Sequence, residues 1–536
     1  MKKISTLAVL VAFGIAAQSQ SYTKTITTPF YVNANRLINT KDGGWMTIGT
    51  STTSFGDVYG NDFYIVKFKA NGNVGWSKSY GANTKLPDYA LSATITKDTG
   101  YLISGSSTDA TGKSLGAVLR IDSLGNKLWC KTFSDTLPFS IVSAVQIADG
   151  GYVCGGNLVN GNNLIPVLIK LSASGSVINY KKIKIGASGV FRKIIAADNG
   201  DLVMLLDDGQ SFSNNKKLIV IRTTKNEVIK WSKRFSGGYS DIGRDIIETR
   251  DKGFAITGGS TYVKQGSANY LSFTTKIDSV GNVLWRRSIN EGDRQGSVPM
   301  SGYSILENAD KSLVSCGDVA SSYENVSLVN YSGSGTYISS TILPVPTMFS
   351  TSPSYGRGLI KIKSGYVIAA EQNDNDIVIL KANNAFVFCE SQTALSPTIQ
   401  DSAIVLDSIN ASFVNQTGIT DMDNLIVIDL ATKLQTKCPI DSLAEATSTE
   451  KSTLPVINIY PNPVVNYINV AFNTNKTGKA LLQVYDVAGN NLLEVQANTT
   501  VGRNIKILNT SALHRGMYKL VLLNNGIRVT QTFYKQ

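Results

Sequence analysis

The return of one phrase about every 52 residues is the feature that most constrains the fold of this chain. The phrase "IDSLGNKLW" at 121–129 reappears as "IDSVGNVLW" at 277–285, and five weaker copies share its form. The aromatic residues that close the seven copies are separated by 53, 51, 51, 54, 52 and 51 residues. A fixed period of this size indicates a repeat architecture. The closing aromatics are Trp76, Trp129, Tyr180, Trp231, Trp285, Tyr337 and Phe388.

Each repeat reads as four short antiparallel strands. In the second unit, "SATIT" and "YLISGS" flank the turn "KDTG", and "GAVLRI" and "KLWCKTF" flank the turn "DSLGN". Gly125 and Asn126 suit the positive φ angles of tight hairpin turns. Four such strands per unit are typical of one β-propeller blade. The sequence therefore predicts an all-β protein with a seven-bladed β-propeller over 21–390, in which the repeated aromatics fill the seams between adjacent blades.

The two ends of the repeat region carry different signals. Residues 1–20 combine Lys2 and Lys3 with a short apolar run, which is typical of a secretory signal peptide. The following text, "SYTKTI", resembles the outer strands "WSKSYG" and "WCKTFS", so we expect the N-terminus to complete the last blade. Residues 391–456 break the rhythm, and we expect a small β-element there, followed by a polar linker.

The five cysteines do not form a dense disulfide framework. Cys389 and Cys438 are a candidate disulfide at the end of the propeller region, because export permits such bonds. Cys130, Cys154 and Cys316 lie within apolar strand-like stretches, and we expect them in the core.

The net charge of +12 is concentrated at the two ends of the chain. Residues 457–536 contain eight Lys or Arg against two Asp or Glu, and the leader adds two lysines, which leaves +4 for the propeller and linker. A nucleic-acid-binding surface needs clustered positive charge, so we expect no nucleic-acid partner. No segment after the leader reaches 18 apolar residues, so we expect a soluble or surface-attached protein.

Catalytic possibilities are limited by the presence of one histidine, His514, which lies outside the propeller region. His-based triads and His-ligated metal sites are therefore impossible in the propeller, and we expect no cofactor and no metal. Paired carboxylates would still allow a glycoside hydrolase, but no spacing in the sequence pairs two of them. The loop candidates are Asp62, Asp207, Asp208, Asp241, Glu291, Asp293, Asp374 and Asp376, whereas Asp122 and Asp278 are expected to form turns.

The last 80 residues differ in character, with alternating strands and Gly/Asn turns that are sufficient for a small β-sandwich over 457–536. This stretch resembles the type A C-terminal sorting domain of the Bacteroidetes type IX secretion system. The resemblance implies export across the outer membrane, removal of the module by a surface sortase, and attachment to anionic lipopolysaccharide. The residues that carry it are Tyr460, Pro461, Asn462, Pro463, Asp486, Gly489, Gly516, Met517, Tyr518, Gly526 and Lys535.

Two functional hypotheses follow for the propeller. The first is a secreted or cell-surface, non-enzymatic and monomeric module that binds a glycan or a protein through the loops of one face. Tyr59, Tyr239, Tyr262 and Tyr323 are loop aromatics that would suit sugar stacking. The second is a carboxylate-dependent glycan hydrolase on the same scaffold, which would need two converging loop carboxylates.

Overall fold

The structure, a computed structural model, is all-β: no helix occurs among the residues that it describes. The chain divides into two compact units, Met1–Ile440 and Asp441–Gln536. The described residues are 21–27, 31–55, 58–81, 86–209, 215–236, 240–264, 267–290, 301–318, 325–344, 355–372, 376–384, 386, 393–394, 398–401, 405–409, 411–415, 420–422, 426–429, 433–436, 457–460, 464–474, 477–486, 490–500, 502–524 and 527–536.

The first unit contains seven antiparallel sheets, and each holds the four strands of one blade, the innermost strand of blade 1 being divided into two pieces that pair with the same neighbour. The seven-bladed propeller predicted from the repeats is confirmed. The strands are β1 Tyr22–Thr27; β2 Tyr31–Val32, β3 Arg36–Asn39, β4 Trp45–Phe55, β5 Val58–Phe68 and β6 Val74–Gly81 (blade 1); β7 Tyr89–Ile95, β8 Tyr101–Thr108, β9 Ser114–Ile121 and β10 Lys127–Ser134 (blade 2); β11 Phe139–Gln146, β12 Tyr152–Asn160, β13 Asn163–Leu171 and β14 Val177–Lys184 (blade 3); β15 Gly189–Ala196, β16 Leu202–Asp208, β17 Leu218–Thr223 and β18 Ile229–Ser236 (blade 4); β19 Ser240–Glu248, β20 Phe254–Lys264, β21 Ser267–Ile277 and β22 Val283–Asn290 (blade 5); β23 Gly302–Glu307, β24 Leu313–Asp318, β25 Asn325–Tyr331 and β26 Tyr337–Pro344 (blade 6); and β27 Tyr355–Ile362, β28 Gly365–Gln372 and β29 Asp376–Ala382 (blade 7).

The N-terminal strand closes the ring. β1 pairs antiparallel with β29, with Tyr22 opposite Lys381, and so supplies the fourth strand of blade 7. The prediction that "SYTKTI" completes the last blade is confirmed. Because the first and last parts of the propeller share one sheet, opening the ring requires breaking a continuous hydrogen-bond ladder.

The segment after the propeller differs from the single small β-element that the sequence led us to expect. Its seven short strands each pair with the outer strand of a different blade, running backwards from blade 6 to blade 1 and ending on β1. Successive strands from the second to the seventh begin six to eight residues apart, a span of roughly 20–29 Å in extended chain. We call this segment the belt: β30 Thr393–Ala394, β31 Thr398–Asp401, β32 Val405–Ser408, β33 Ser412–Asn415, β34 Thr420–Met422, β35 Ile426–Asp429 and β36 Lys433–Thr436.

The belt has a clear physical reason. The outermost strand of a propeller blade is a sheet edge whose backbone N–H and C=O groups are unpaired, and such edges promote association between chains. Each belt strand pairs antiparallel with one of these edges. Strands of two to four residues carry too little periodicity to be recognised from sequence, so only the tertiary pairing reveals them.

The repeated "DxxGN" phrase forms the turn between the third and fourth strands. The Oδ1 atom of Asp122 accepts hydrogen bonds from the backbone N–H groups of Leu124 and Asn126, both at 2.8 Å. Asp278 makes the same two contacts in blade 5, at 2.9 and 2.8 Å. Gly125 between them has a φ of 78°, which glycine adopts without strain. Both aspartates therefore stabilise turns, as the sequence predicted.

The repeated tryptophan packs on the turn of the next blade. A Cβ atom on Gly335, whose φ is 84°, would lie 2.6 Å from Trp285, so only glycine permits this approach. The indole N–H also donates to a backbone carbonyl two residues before the turn glycine. These bonds join Trp76 to Ser123 at 3.2 Å, Trp231 to Ser279 at 3.2 Å and Trp285 to Gly333 at 3.0 Å.

Tyr180 and Tyr337 do not occupy the tryptophan register, which is a correction to the sequence alignment. Asn179, not Tyr180, faces Lys170 in the position that Trp285 holds opposite Lys276. Tyr337 lies two residues before the equivalent position. Both residues still contact neighbouring aromatics, Tyr180 with Phe139 and Tyr337 with Tyr331. The alignment failed because it counted from the closing aromatic and not from the turn glycine.

The seam between blade 7 and blade 1 is packed by Tyr22 of β1. A Cβ atom on Gly72 would lie 2.0 Å from the Tyr22 hydroxyl, so Tyr22 lies against a turn of blade 1 as Trp285 lies against blade 6. Phe388 was predicted for this role and lies outside the described residues, as do the leader 1–20, Cys389 and Cys438. Cys130, Cys154 and Cys316 are buried in hydrophobic clusters between blades.

The second unit is a small β-sandwich of a three-stranded and a four-stranded sheet. Tyr518 stacks on Phe533 at 5.7 Å, and its hydroxyl donates to the His514 carbonyl at 2.8 Å. Asp486 accepts hydrogen bonds from Asn490, and Lys535 is buried at the end of the last strand. The strands are β37 Ile457–Tyr460, β38 Tyr467–Thr474, β39 Gly478–Tyr485, β40 Asn491–Thr499, β41 Gly502–Asn509, β42 Gly516–Asn524 and β43 Ile527–Lys535, while Pro461, Asn462, Pro463, Gly489 and Gly526 lie outside the described residues.

Candidate functional site

The first strands of all seven blades surround a central channel. Residues from β3, β7, β11, β15, β19, β23 and β27 line a cavity of about 450 Å³. This volume is within the usual range for small-ligand pockets, roughly 300–1,000 Å³. The lining from blades 2 and 3 is small and uncharged at Ser92 and Ser143, whereas blades 1, 4 and 5 contribute Arg36, Lys193 and Asp245.

Three charged residues form a tie across this channel. Asp245 of blade 5 accepts a hydrogen bond from Arg36 of blade 1, on the far side of the ring, at 2.8 Å. The same carboxylate pairs with Lys193 of blade 4 and accepts the backbone N–H of Ile305 in blade 6 at 3.1 Å. One buried aspartate therefore connects four blades and narrows the channel at mid-height. A buried charge is tolerated only when it is paired in this way.

The pKa values of the tie reflect burial and charge. Burial lowers the pKa of Lys193 to about 8, and Arg36 acts in the same direction, although Asp245 opposes both. Burial would raise the pKa of Asp245, but Arg36 and Lys193 outweigh this effect and hold it below its usual value. Asp245 is thus an anion at neutral pH, which makes it a structural partner for the two cations and not an acid catalyst.

A cluster of cations lies next to the tie, towards the end of the channel at which the inner strands begin. Each inner strand from blade 2 to blade 7 contains a β-bulge, which places one extra residue immediately before the residue that pairs next. A bulge re-aims the side chain that it carries. The bulged residues are Leu91, Val142, Arg192, Arg244, Tyr303 and Arg357.

We call Arg192, Arg244, Tyr303 and Arg357 the arginine cluster. The guanidinium carbon of Arg244 lies 5.2 Å from the Tyr303 ring centroid, and that of Arg357 lies 4.9 Å from the same ring. These distances are within the range of cation–π interactions. Arg192 donates to Asp207 at 2.5 Å. The cluster thus joins residues from four consecutive blades: Arg244 and Arg357 lie on the Tyr303 ring, and the charge of Arg192 acts on Arg244.

Arg244 differs from the other two arginines in its partners. Its Nε is buried and has no hydrogen-bond partner among the described residues, while its guanidinium group lies over the ring of Tyr303. Burial and the neighbouring Arg192 lower the pKa of Arg244, while Tyr303 and Asp207 oppose them. A buried guanidinium without an anion is costly, because its lost hydration is not replaced.

Asp318 is the described carboxyl group whose environment most resembles that of a catalytic acid. It accepts the Ser301 backbone N–H at 2.5 Å through Oδ1, while Oδ2 is buried without a hydrogen-bond partner among the described residues. Burial raises the pKa of Asp318 to about 7, although Arg244 and Arg357 act against this shift. Near neutral pH the carboxyl group is therefore only partly ionised.

At the opposite end of the channel, several backbone N–H groups are hydrogen-bonded to the neighbouring blade. There the turn after each of several inner strands donates a backbone N–H to a side chain of the next blade. Lys97 donates to Gln146 at 2.8 Å, Asp198 to Glu248 at 2.7 Å and Arg250 to Glu307 at 2.8 Å. These contacts tie neighbouring blades together, and Lys97 and Gln146 also line the cavity of about 450 Å³.

Of the carboxylates proposed from sequence, those with described side chains are each bound to another side chain. Asp207 binds Arg192, Asp208 binds Arg234 at 2.8 Å, and Asp241 forms a fully buried pair with Arg286 at 2.8 Å. Asp62 is hydrogen-bonded to Ser79 at 3.3 Å. Asp376 begins β29, and Tyr59 and Tyr262 lie in β5 and β20, without described side chains; Glu291, Asp293, Asp374, Tyr239 and Tyr323 lie outside the described residues.

Sequence reasoning missed the arginine cluster. Its signal was a repeat position at which the second and third units carry Leu91 and Val142, while later units carry Arg192, Arg244 and Arg357. Comparing the repeats at this position would have shown the change from aliphatic to cationic residues. The grouping around Tyr303 could not have been found in this way, because it depends on the contact between blades.

Among the residues that the structure describes, no group of three or more His, Cys, Asp or Glu side chains could hold a metal ion. No helix within the described ranges has the length and hydropathy of a membrane span.

Comparison with solved structures finds distant likenesses. Raptor from Chaetomium thermophilum is 8% identical over 67% of this chain and 30% of that chain, with a TM-score of 0.38. The polysaccharide lyase Uly1 is 8% identical over 66% and 90%, with a TM-score of 0.39. Fructan 1-exohydrolase IIa from Cichorium intybus is 9% identical over 69% and 98%, with a TM-score of 0.28. Likenesses this weak carry no argument about activity, and no curated protein matches the sequence.

The C-terminal module has a clear relative. The family model for the secretion system C-terminal sorting domain matches residues 458–536, which are nearly the whole of the β-sandwich in the second unit. A sorting domain implies interaction with the secretion machinery and export to the cell surface or the medium. Residues 458–536 therefore match the secretion system C-terminal sorting domain family, and a seven-bladed propeller precedes them in the sequence.

Proposed function

We propose that the exported propeller is a non-enzymatic binding module that takes a glycan or a protein segment at the end of the channel where the inner strands begin. The observation that supports this proposal is the arginine cluster at that end, next to the Arg36–Asp245–Lys193 tie, which itself lines the cavity of about 450 Å³ shared by all seven blades. A tied ring is rigid, and a preorganised pocket loses little entropy when it binds a ligand.

The pairing of the carboxylates favours binding over hydrolysis. A glycoside hydrolase needs one carboxyl group as an acid and a second as a base or nucleophile. Asp207, Asp208 and Asp241 each contact an arginine, which occupies carboxylate oxygens that a substrate would need. None of the three is set up to donate or accept a substrate proton.

Asp318 supports the alternative, a carboxylate-dependent glycan hydrolase. Its pKa of about 7 would allow it to donate a proton near neutral pH. The alternative requires a second carboxylate within roughly 5–10 Å on the other side of the scissile bond. If the protein were such an enzyme, Asp318→Asn would abolish cleavage without preventing substrate binding.

A glycan-array screen of the purified full chain, with analysis of reducing ends for every hit, tests the proposal. We expect binding without new reducing ends. We also expect Ser92→Trp, which fills the channel, to abolish binding, whereas Ser174→Trp on an exposed outer turn should not. New reducing ends would establish the hydrolase, and unchanged binding by Ser92→Trp would place the site elsewhere.

The second part of the proposal concerns the fate of the sorting domain. We expect a surface sortase to remove it after export and the propeller to be attached to anionic lipopolysaccharide, as the family resemblance implies. Intact-mass measurement of the native secreted protein would detect the loss of the C-terminal unit that begins at Asp441. A native mass that includes the whole sandwich would contradict this expectation.

A further inference from the structure

The geometry points to an acidic polysaccharide as the ligand, with a carboxylate or sulfate group bound by Arg244 together with Arg192 and Arg357. This inference rests on the proposed function, because it assigns the ligand class of the same channel end. It adds that the recognised feature is a negative charge on the glycan and that the arginine cluster is the site of recognition.

The first step of the argument is the asymmetry of the bulged position. Blades 2 and 3 carry the apolar Leu91 and Val142 there, whereas blades 4, 5 and 7 carry arginines. If the bulge served only the architecture of the inner strand, any of these residue types would be sufficient in every blade. The concentration of arginine on one side of the channel indicates a directional preference for an anion.

The second step is the unsatisfied state of Arg244. Its Nε is buried without a hydrogen-bond partner among the described residues, and no ion pair with a described residue supports it. Arginine presents a planar fork of donors that matches the two oxygens of a carboxylate or sulfate. A ligand anion at this position would supply the missing acceptor. The Tyr303 ring against Arg244 and Arg357 holds the two guanidinium groups in place.

The third step is the local balance of charge. Burial lowers the pKa of Lys216, and the nearby charges of Arg192 and Arg244 lower it further. Lys216 is therefore a fourth cation of the same region. Among the described carboxyl groups, Asp207 and Asp318 act electrostatically on Arg244. Asp207 is already bound to Arg192, and Asp318 is only partly ionised near pH 7. Among the described residues of this region, the cations Arg192, Arg244 and Lys216 thus outnumber the two carboxyl groups, which favours a bound anion at this end of the channel.

The shape of the site favours a polysaccharide over other polyanions. Nucleic-acid binding relies on many phosphate contacts along an extended basic surface. Here Arg244 and Arg357 lie on one aromatic ring, and so compact a cluster suits one or two acidic groups of a narrow chain. A folded acidic protein would need a broad interface, commonly roughly 800 Å² per partner, and not a single recessed cluster.

The experiment compares dextran, dextran sulfate and polygalacturonate as ligands of the purified full chain by calorimetry. We expect binding of dextran sulfate, polygalacturonate or both, but not of neutral dextran, and which of the two acids binds distinguishes sulfate from carboxylate. Arg244→Gln removes a charge-assisted hydrogen bond to the ligand, and we expect this loss to weaken binding about tenfold or more. The matched control is Arg250→Gln, which removes the same charge at the opposite end of the channel and should change affinity by less than about twofold.

The outcomes separate this inference from the proposed function. Equal binding of the acidic ligands by Arg244→Gln and by the unmodified chain would overturn the inference. Binding of dextran as tightly as dextran sulfate would also overturn it, while leaving the binding module intact. Binding of no glycan on the array or in solution would overturn both. Thermal unfolding is measured first, and if Arg244→Gln fails to fold, Arg357→Gln is tested with the same expectation.

Discussion

Replacement of Trp285 by alanine tests the account of how adjacent blades are joined. Trp285 is 8% exposed, contacts Tyr331 with ring centroids 5.8 Å apart, and donates its indole N–H to Gly333 of the next blade at 3.0 Å. The substitution removes the ring, the hydrogen bond and the surface against which Gly335 packs. The reasoning predicts a large loss of stability although the residue lies far from any proposed ligand.

The magnitude follows from the buried surface. An aromatic side chain buries roughly 150–250 Å², which at about 25 cal/mol per Å² corresponds to roughly 4–6 kcal/mol. Residual burial in the unfolded chain reduces this value, and the lost hydrogen bond adds about 1 kcal/mol. We therefore expect Trp285→Ala to lower the free energy of unfolding by about 3–5 kcal/mol, within the range seen for large-to-small core substitutions.

The assay is urea denaturation followed by far-ultraviolet circular dichroism, with two matched variants. Leu284→Ala changes the adjacent residue, which is 56% exposed, and should alter stability by less than about 0.5 kcal/mol. Trp285→Phe retains most of the apolar surface and should fall between the two. If Trp285→Ala were as stable as Leu284→Ala, the ring would not be packing the seam and the reasoning would be refuted.

Two further predictions concern the belt and the charge of the channel. A chain that ends at residue 390 lacks β30–β36 and leaves the outer blade edges unpaired, so light scattering should detect larger assemblies than those of a control chain that ends at residue 440 and keeps the belt. Equal masses for both would contradict the role of the belt. Affinity for dextran sulfate should fall several-fold as the pH rises from about 6 to about 8. Over this range Asp318, which has a pKa of about 7 and accepts the Ser301 N–H, gains a negative charge beside Arg244 and Arg357. Isothermal titration at both pH values should show no such fall for Asp318→Asn, and an equal fall in that variant would exclude Asp318 as the cause.

The repeat phrase illustrates how much the sequence could predict. Asp122, Gly125 and Trp129 act within a few residues or on the adjacent turn, and their spacing returns in Asp278, Gly281 and Trp285. The number of blades, the strand order and the closure by β1 follow from these repeated sequence patterns. The copies without a tryptophan were misaligned, because Asn179 and Ser339 occupy its register and an aromatic was assumed there.

The sequence by itself determined the all-β class, the seven blades and the sorting domain, since each depends on contiguous residues or on a constant period. Only the tertiary structure decided the belt, the Asp245 tie and the arginine cluster. The belt strands are too short to show periodicity, and Arg36 meets Asp245 across 209 residues of chain. Arg244 and Arg357 meet at Tyr303 only because closure of the propeller places their blades on either side of the blade that carries Tyr303. Contacts made by closing a ring leave no local pattern, because the residues involved are neighbours only in the folded molecule.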